Sequence, residues 1–376
     1  MLRPLQHPII ASRRIASNAC RISATYTQSS TLTYGGQSRY IHQTARGSGL
    51  INARLPRRKI PIKKGAKQKM TAPIKQHSTT TTSTEPAVHD VFDTTSGTWQ
   101  YIVADPSTST AVIIDPVLNF DPATQAITTK SADALLALVK DKKYKIDKIL
   151  ETHAHADHLS AASYLQSRLL QSQDHKPPIC IGKRIEQVQK LFSQRYGVPK
   201  SEYKQVFDRL LDDDETFTIG NITAKAIHLP GHTPDHLGYM IGDNVFCGDS
   251  LFHADIGTAR CDFPGGDAKD LFQSGRKLLS LPGHVKIWTG HDYPPAGREP
   301  MPWLSVQDHR ELNKHLRDGV NEDTFVALRQ ERDAGLAAPR LLHQSLQINI
   351  RAGRLPALTE AGQRLLHVPL KIEDAW

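Results

Sequence analysis

One short segment, Thr152-His153-Ala154-His155-Ala156-Asp157-His158, constrains this chain more than any other part of its sequence. Four metal-ligating side chains fall within six residues, directly after a strand expected over residues 145–150. Residues two apart cannot share one face of a helix, whereas a loop curling around an ion can use all four. Ala154 and Ala156 are small spacers that keep such a loop compact, and Leu159-Ser160 are expected to start the next helix. Further ligand types follow at the ends of later expected strands: His232 in Pro230-Gly231-His232-Thr233, Asp249 in Cys247-Gly248-Asp249-Ser250, and His291 in Gly290-His291-Asp292-Tyr293. Each of these three follows a glycine, which lets the backbone approach closely. Histidine and carboxylate ligands suit Zn(II) or Fe(II), and the missing thiolate argues against copper and structural zinc.

The rest of the body alternates strand and helix signals. Residues 99–104 and 111–114 are β-rich runs split by Asp105-Pro106-Ser107, so they read as a hairpin. Ser131 is expected to cap a helix with an apolar side of Leu135, Leu136, Leu138 and Val139. Helices are expected at 161–170 and 184–194, and strands between 217 and 240 around a turn at Ile219-Gly220-Asn221-Ile222. Asp267 caps a helix running to Leu279, and Asn321 caps a final helix to about Ala334. That last helix carries Glu322, Arg329, Glu331 and Arg332 and reads as a solvated face. Tight turns joining several strand pairs point to an α+β protein with packed sheets inside helical layers, not a purely parallel sheet.

The formal charge of +9 hides a division. Residues 1–84 contain no acidic side chain and 15 basic ones, which leaves 32 basic residues against all 38 acidic ones in residues 85–376. A nucleic-acid partner is therefore not expected of the body. Arg3, Arg13, Arg14 and Arg21 lie among Leu2, Leu5, Ile9, Ile10 and Ile15, the pattern of an amphipathic transit peptide. Ser38-Arg39-Tyr40-Ile41 looks like an arginine-directed processing site, and a Ser/Thr tract over 78–84 reads as a linker. The mitochondrial matrix is the expected compartment; a basic tail for nucleic acid or anionic lipid is the alternative. Four cysteines without a CxxC pair predict reduced thiols, and no run of 18 apolar residues predicts a membrane span.

The ordered blocks HxHxDH, GHT, GD and a last His resemble the metallo-β-lactamase superfamily from about Tyr101 to Tyr293, and Asp115 in Ile114-Asp115-Pro116-Val117 also fits its early strand. The resemblance implies a four-layer αβ/βα sandwich over 85–316, with residues 317–376 as a C-terminal helical extension packed on it. Within the superfamily the chain looks most like persulfide dioxygenases and the bacterial β-lactamase-hydrolase-like group. Four features carry this: the alanines of the His-rich loop, Ala259-Arg260-Cys261-Asp262-Phe263, His291-Asp292-Tyr293, and the tail through Leu346-Gln347-Ile348-Asn349-Ile350-Arg351-Ala352-Gly353. No rhodanese-type Cys loop is found.

The resemblance implies one Fe(II) per chain held by His153, His232 and Asp249, with open positions for O2 and a persulfide sulfur. The implied reaction converts glutathione persulfide, O2 and water to sulfite and glutathione. It also implies that Arg260 clamps a substrate carboxylate and that Tyr293 donates a hydrogen bond near the metal; their bland roles are a loop salt bridge and packing. His155, Asp157, His158 and His291 would then orient the first ligands or hold a second ion. The main rival is a dinuclear thioester hydrolase of the glyoxalase II type, with two Zn(II) and Asp157 as a ligand. A non-enzymatic metal-binding body with a basic anchoring tail is the third reading. A homodimer is compatible with all three. His253 and His284 are lone histidines read as surface or core residues.

Overall fold

The computed structural model describes residues 85–373. The presequence, processing site and linker expected over 1–84 lie outside the described residues.

The first half is built from β1 (Ala87–Asp93), β2 (Thr98–Ala104), β3 (Thr110–Ile114), β4 (Val117–Asp121), β5 (Ala126–Thr128), α1 (Lys130–Lys142), β6 (Lys145–Leu150), β7 (Leu159–Ser160), α2 (Ala162–Gln173), β8 (Ile179–Gly182), α3 (Ile185–Tyr196), α4 (Lys200–Tyr203) and β9 (Arg209–Leu211). The second half holds β10 (Thr216–Ile219), β11 (Ile222–His228), β12 (Leu237–Ile241), β13 (Asn244–Phe246), α5 (Ala268–Leu279), β14 (Lys286–Trp288), β15 (Trp303–Ser305) and α6 (Val306–Leu312). Two further helices follow, α7 (Glu322–Ala334) and α8 (Leu342–Asn349). The strands form two six-stranded sheets, ordered β1-β2-β3-β6-β8-β9 and β10-β11-β12-β13-β14-β15, and a small sheet β5-β4-β7.

The pleat explains the layering. Successive side chains of a strand point to opposite faces, and both faces here are apolar. Tyr101, Val103, Val112 and Ile114 pack against Phe217, Ala224, Tyr239 and Phe246 of the second sheet. Ile102, Ala104, Ile113 and Ile149 face the other way, onto Leu135, Leu165, Val188 and Phe192 of α1, α2 and α3. The outer face of the second sheet is covered through Leu271, Leu278, Val306 and Phe325 of α5, α6 and α7. This is the αβ/βα sandwich expected from the motifs.

Several local expectations need correction. Leu159-Ser160 do not start a helix: they pair antiparallel with Val117-Leu118, and α2 begins two residues later. Ser131 lies inside α1, whose N-cap is Thr129, and its hydroxyl donates to Asp93 at 2.8 Å. Asn321 does cap α7, by accepting from the Thr324 amide at 2.9 Å, yet α7 is not the last helix. Nor is its polar side uniformly solvated. Arg329 is 1% exposed. Its guanidinium pairs with Asp333 one turn on and reaches the Thr258 carbonyl at 3.2 Å.

Candidate metal centre and cavity

The sandwich brings the predicted ligands to one edge. His153, His155, Asp157 and His158 come from the loop between β6 and β7; His232, Asp249 and His291 come from loops after β11, β13 and β14. His153, His232 and Asp249 offer ligand atoms within 4.8 Å of one another, and so do His155, Asp157, His158 and His291. Asp249 stands between the two groups: one oxygen is 3.6 Å from His232 Nε2 and the other 3.5 Å from His291 Nε2. Asp157 lies 3.1 Å from the same His291 nitrogen.

Each imidazole is aimed by the bond its other nitrogen makes. His153 Nδ1 meets the Thr152 hydroxyl at 2.9 Å. His232 Nδ1 donates to the Arg260 carbonyl at 2.7 Å, and His158 Nδ1 to the Leu159 carbonyl at 3.1 Å. His155 Nε2 is taken up by Asp115 at 3.0 Å and Glu151 at 3.4 Å. What remains is a set of inward atoms with no protein hydrogen-bond partner: Nε2 of His153, His158 and His291, Nδ1 of His155, and one oxygen each of Asp157 and Asp249. Leaving one such buried group unpaired costs about 1–3 kcal/mol. They are divided between the two neighbouring groups, each of which fits a bound cation, and the donor set matches Fe(II) or Zn(II). Burial, with the neighbouring imidazoles, lowers the His153 pKa well below the usual range and the His158 pKa to about 4, so both stay neutral as ligands must.

Asp115 is the hub beneath the loop. It sits at a left-handed φ of 49°. It accepts from the Thr152 amide at 2.7 Å, the Thr152 hydroxyl at 2.8 Å and His155 Nε2. Although burial opposes it, the Asp115 carboxylate and Glu151 hold the His155 pKa well above its ordinary value.

Three positioning residues escaped the sequence reading. His236 Nε2 accepts from the Asp249 amide at 2.9 Å, and Asp235 accepts from the Ala154 amide at 3.1 Å. Both are fully buried. Their signal was a Thr-Pro-Asp-His turn running straight on from the Gly-His pair into β12. The third, Asn349 at the end of α8, donates to the His155 and His158 carbonyls at 2.7 and 2.8 Å and accepts from the Ser160 amide at 2.8 Å. It stands in the tail block over 346–353 that carries part of the resemblance, but nothing in that block announced its hold on the loop.

A cavity of about 440 Å³ opens onto this centre, with Asp157, His158, His232 and Asp249 at its inner end. Arg260 and Tyr293 both line it. The Arg260 guanidinium is already engaged, bidentate to Asp262 at 2.5 Å and to the Ala337 carbonyl at 2.9 Å. The Tyr293 ring stacks on His291 with centroids 5.7 Å apart. His253 pairs with Asp255 and His284 with Asp243, away from the cavity lining. Cys180, Cys247 and Cys261 are buried free thiols, each pushed up to about 12 by burial.

A family model described as the metallo-beta-lactamase superfamily matches residues 93–291. The chain belongs to the metallo-β-lactamase superfamily. Among superfamily members it is 42% identical over 294 residues to a beta-lactamase hydrolase-like protein of Xylella fastidiosa, covering 77% of this chain and 67% of the relative. It is 42% identical over 278 residues to glyoxylase B2 of Dictyostelium discoideum, covering 73% and 94%. The mitochondrial persulfide dioxygenase of Homo sapiens is 28% identical over 269 residues, covering 71% and 88%. The crystal structure of ETHE1 from Myxococcus xanthus shares the fold, with a TM-score of 0.57 at 24% identity over 71% of this chain and all of that one.

Proposed function

We propose that this chain is a mononuclear iron persulfide dioxygenase that oxidises glutathione persulfide with O2 and water to sulfite, glutathione and two protons. The observation that carries the reading is the close group of His153, His232 and Asp249, of which His232 and Asp249 line a cavity of about 440 Å³. Two imidazoles and one carboxylate leave positions open on a six-coordinate ion, the set used where O2 and a second ligand must share one metal. Iron(II) held there would supply electron exchange with O2, which zinc cannot.

The protein's own work is to aim and to exclude. Thr152 and the Arg260 carbonyl fix the tilt of His153 and His232, and the hydrogen bond that the Asp249 amide donates to His236 fixes the carboxylate-bearing turn. Val117, Leu118, Phe120 and Phe252 make an apolar wall that keeps bulk water off the reacting sulfur. Tyr293, stacked on His291 and lining the cavity, would donate a hydrogen bond to the bound substrate in this reading. Similarity to the human persulfide dioxygenase supports this chemistry, and the acid-free leader supports delivery to the mitochondrial matrix.

A second reading has its own support. His155, Asp157, His158 and His291 form a second ligand group, and glyoxylase B2 is a 42% identical relative. Two zinc ions and a metal-activated water would then make a thioester hydrolase. Metal analysis of protein purified without added metal separates the two, together with oxygen uptake on glutathione persulfide and hydrolysis of S-lactoylglutathione. About one iron per chain with oxygen uptake supports the dioxygenase; two zinc ions with thioester hydrolysis and no oxygen uptake overturn it.

A further inference from the structure

Part of the cavity lining comes from two segments that are distant in the chain. Phe252 and Ile256 belong to the loop after β13, and Tyr293 to the segment after β14. One guanidinium joins the two segments. Arg298 Nη1 and Nη2 donate to the two oxygens of Asp292 at 2.7 and 2.6 Å. Its Nε and Nη2 also donate to the two oxygens of Asp255, at 2.8 and 3.2 Å. A planar fork can serve two carboxylates in this way, whereas an ammonium is a point charge on a single stem.

The local chain brings Arg298 to this place. Pro294 and Pro295 stiffen the start of the turn, Gly297 takes a φ of 92°, and the Arg298 amide donates to the Pro295 carbonyl at 3.1 Å. The side chain therefore folds back over Asp292, six residues upstream. Asp292 is 1% exposed. Its carboxylate also accepts from the Met301 amide at 2.8 Å, and its own amide donates to the Gly97 carbonyl at 3.0 Å. A carboxylate this deeply buried needs a paired charge. On the cavity side of this node the Tyr293 ring stacks on His291 and meets the Phe252 ring edge-on, with centroids 6.3 Å apart. Asp255 is exposed and is not part of the cavity lining.

We infer that Arg298 is a positioning residue that bridges Asp255 and Asp292 and so holds Phe252 and Tyr293 in register on the substrate. This deepens the proposed function and rests on it for the identity of that substrate. Asp255 acts only through the bridge: it sits one residue before Ile256 and three after Phe252, so its bond to Arg298 fixes the loop that carries both.

The test uses the full-length, metal-loaded protein and oxygen uptake on glutathione persulfide. The variants are Arg298→Ala, Arg298→Lys, Asp255→Ala and the double alanine variant, with thermal melting and elemental analysis to follow fold and metal content. Arg298→Ala is expected to keep its metal and to lose about 10–100-fold in kcat/KM, as misplaced contacts do. Asp255→Ala should lose a similar factor although Asp292 stays paired. The double variant should be no worse than either single one, because the two residues form one link. Arg298→Lys pairs Asp292 without spanning both carboxylates, so it should recover the melting temperature but not kcat/KM. Wild-type kcat/KM in Asp255→Ala, losses that multiply in the double variant, or full kinetic recovery with lysine overturns the bridge. Asp255→Ala decides the question even where Arg298→Ala fails to fold. If wild type consumes no oxygen, the dioxygenase reading falls and the same variants are scored by calorimetric binding of glutathione, where a matching, non-additive loss keeps the bridge and unchanged affinity removes it. Oxygen uptake that is equal across the whole set removes the bridge and leaves the dioxygenase reading in place.

Discussion

The residue that ties the His-rich loop to the body is Asn349, and its removal is expected to be costly. Its carboxamide holds two carbonyls and one amide of residues 155–160, and Asn349, His155, His158 and Ser160 are all at most 5% exposed. Asn349→Ala leaves those three backbone groups unpaired. At about 1–3 kcal/mol each the upper total is large, but a water entering the vacated space restores part of the bonding. A net loss of roughly 3–5 kcal/mol follows, and for a body of this size that is a fall in Tm of about 6–15 °C. Because the freed loop carries four of the ligand side chains, metal affinity should also fall, by about 10–100-fold. Calorimetric melts of chelator-treated and metal-loaded protein, with elemental analysis, measure both. A Tm within about 2 °C of wild type and full metal content would refute the clamp.

Other perturbations have sharper signatures. His232→Ala should abolish metal binding and turnover together; retained iron and activity would exclude His232 from the ligand set. Gly290→Ala places a Cβ 2.4 Å from the Asp249 carboxylate, which must swing away. The expected result is a folded protein about 1–3 kcal/mol less stable with weakened metal binding, and wild-type metal affinity in titration would contradict it. Asp105 is buried, which opposes ionisation, yet the Asn221 and Ser107 amides lower its pKa to about 2. A depressed carboxylate stabilises the fold above its ordinary value near 4 and loses that contribution as pH falls toward 2. Asp105→Asn should therefore be less stable than wild type at pH 7 and converge with it in acid; a constant difference across denaturation curves from pH 7 to pH 2 would count against the assignment.

How much was legible follows from how each residue signals itself. His153 sits in a dense His/Asp loop after a strand end, and His232, Asp249 and His291 follow glycines at strand ends, so a local pattern marks each, and the sandwich brings them together. The hairpins and the Asp267 and Asn321 caps are likewise local chemistry. Leu159-Ser160 went the other way: a helix signal lost to pairing with β4, whose partner residues lie some 40 positions upstream. Arg329 reads as a surface residue because its neighbours on α7 are charged; only the contacts with Asp333 and Thr258 show why a guanidinium can be buried there. Asn349 is the extreme case. Its partners are about 190 residues away, and no periodicity or motif in one helix encodes a distance of that kind.

The division of the ligands between the two sheets has a mechanical consequence. One group of side chains hangs from the first sheet and the other from the second, so an ion at their meeting point acts as a rivet through the seam. Its binding free energy is spent on keeping the halves closed, in proportion to the logarithm of free metal over Kd. Loss of the ion should therefore track separation of the sheets rather than fraying of any one loop. A protein starved of metal would keep its secondary structure while its two layers part more readily.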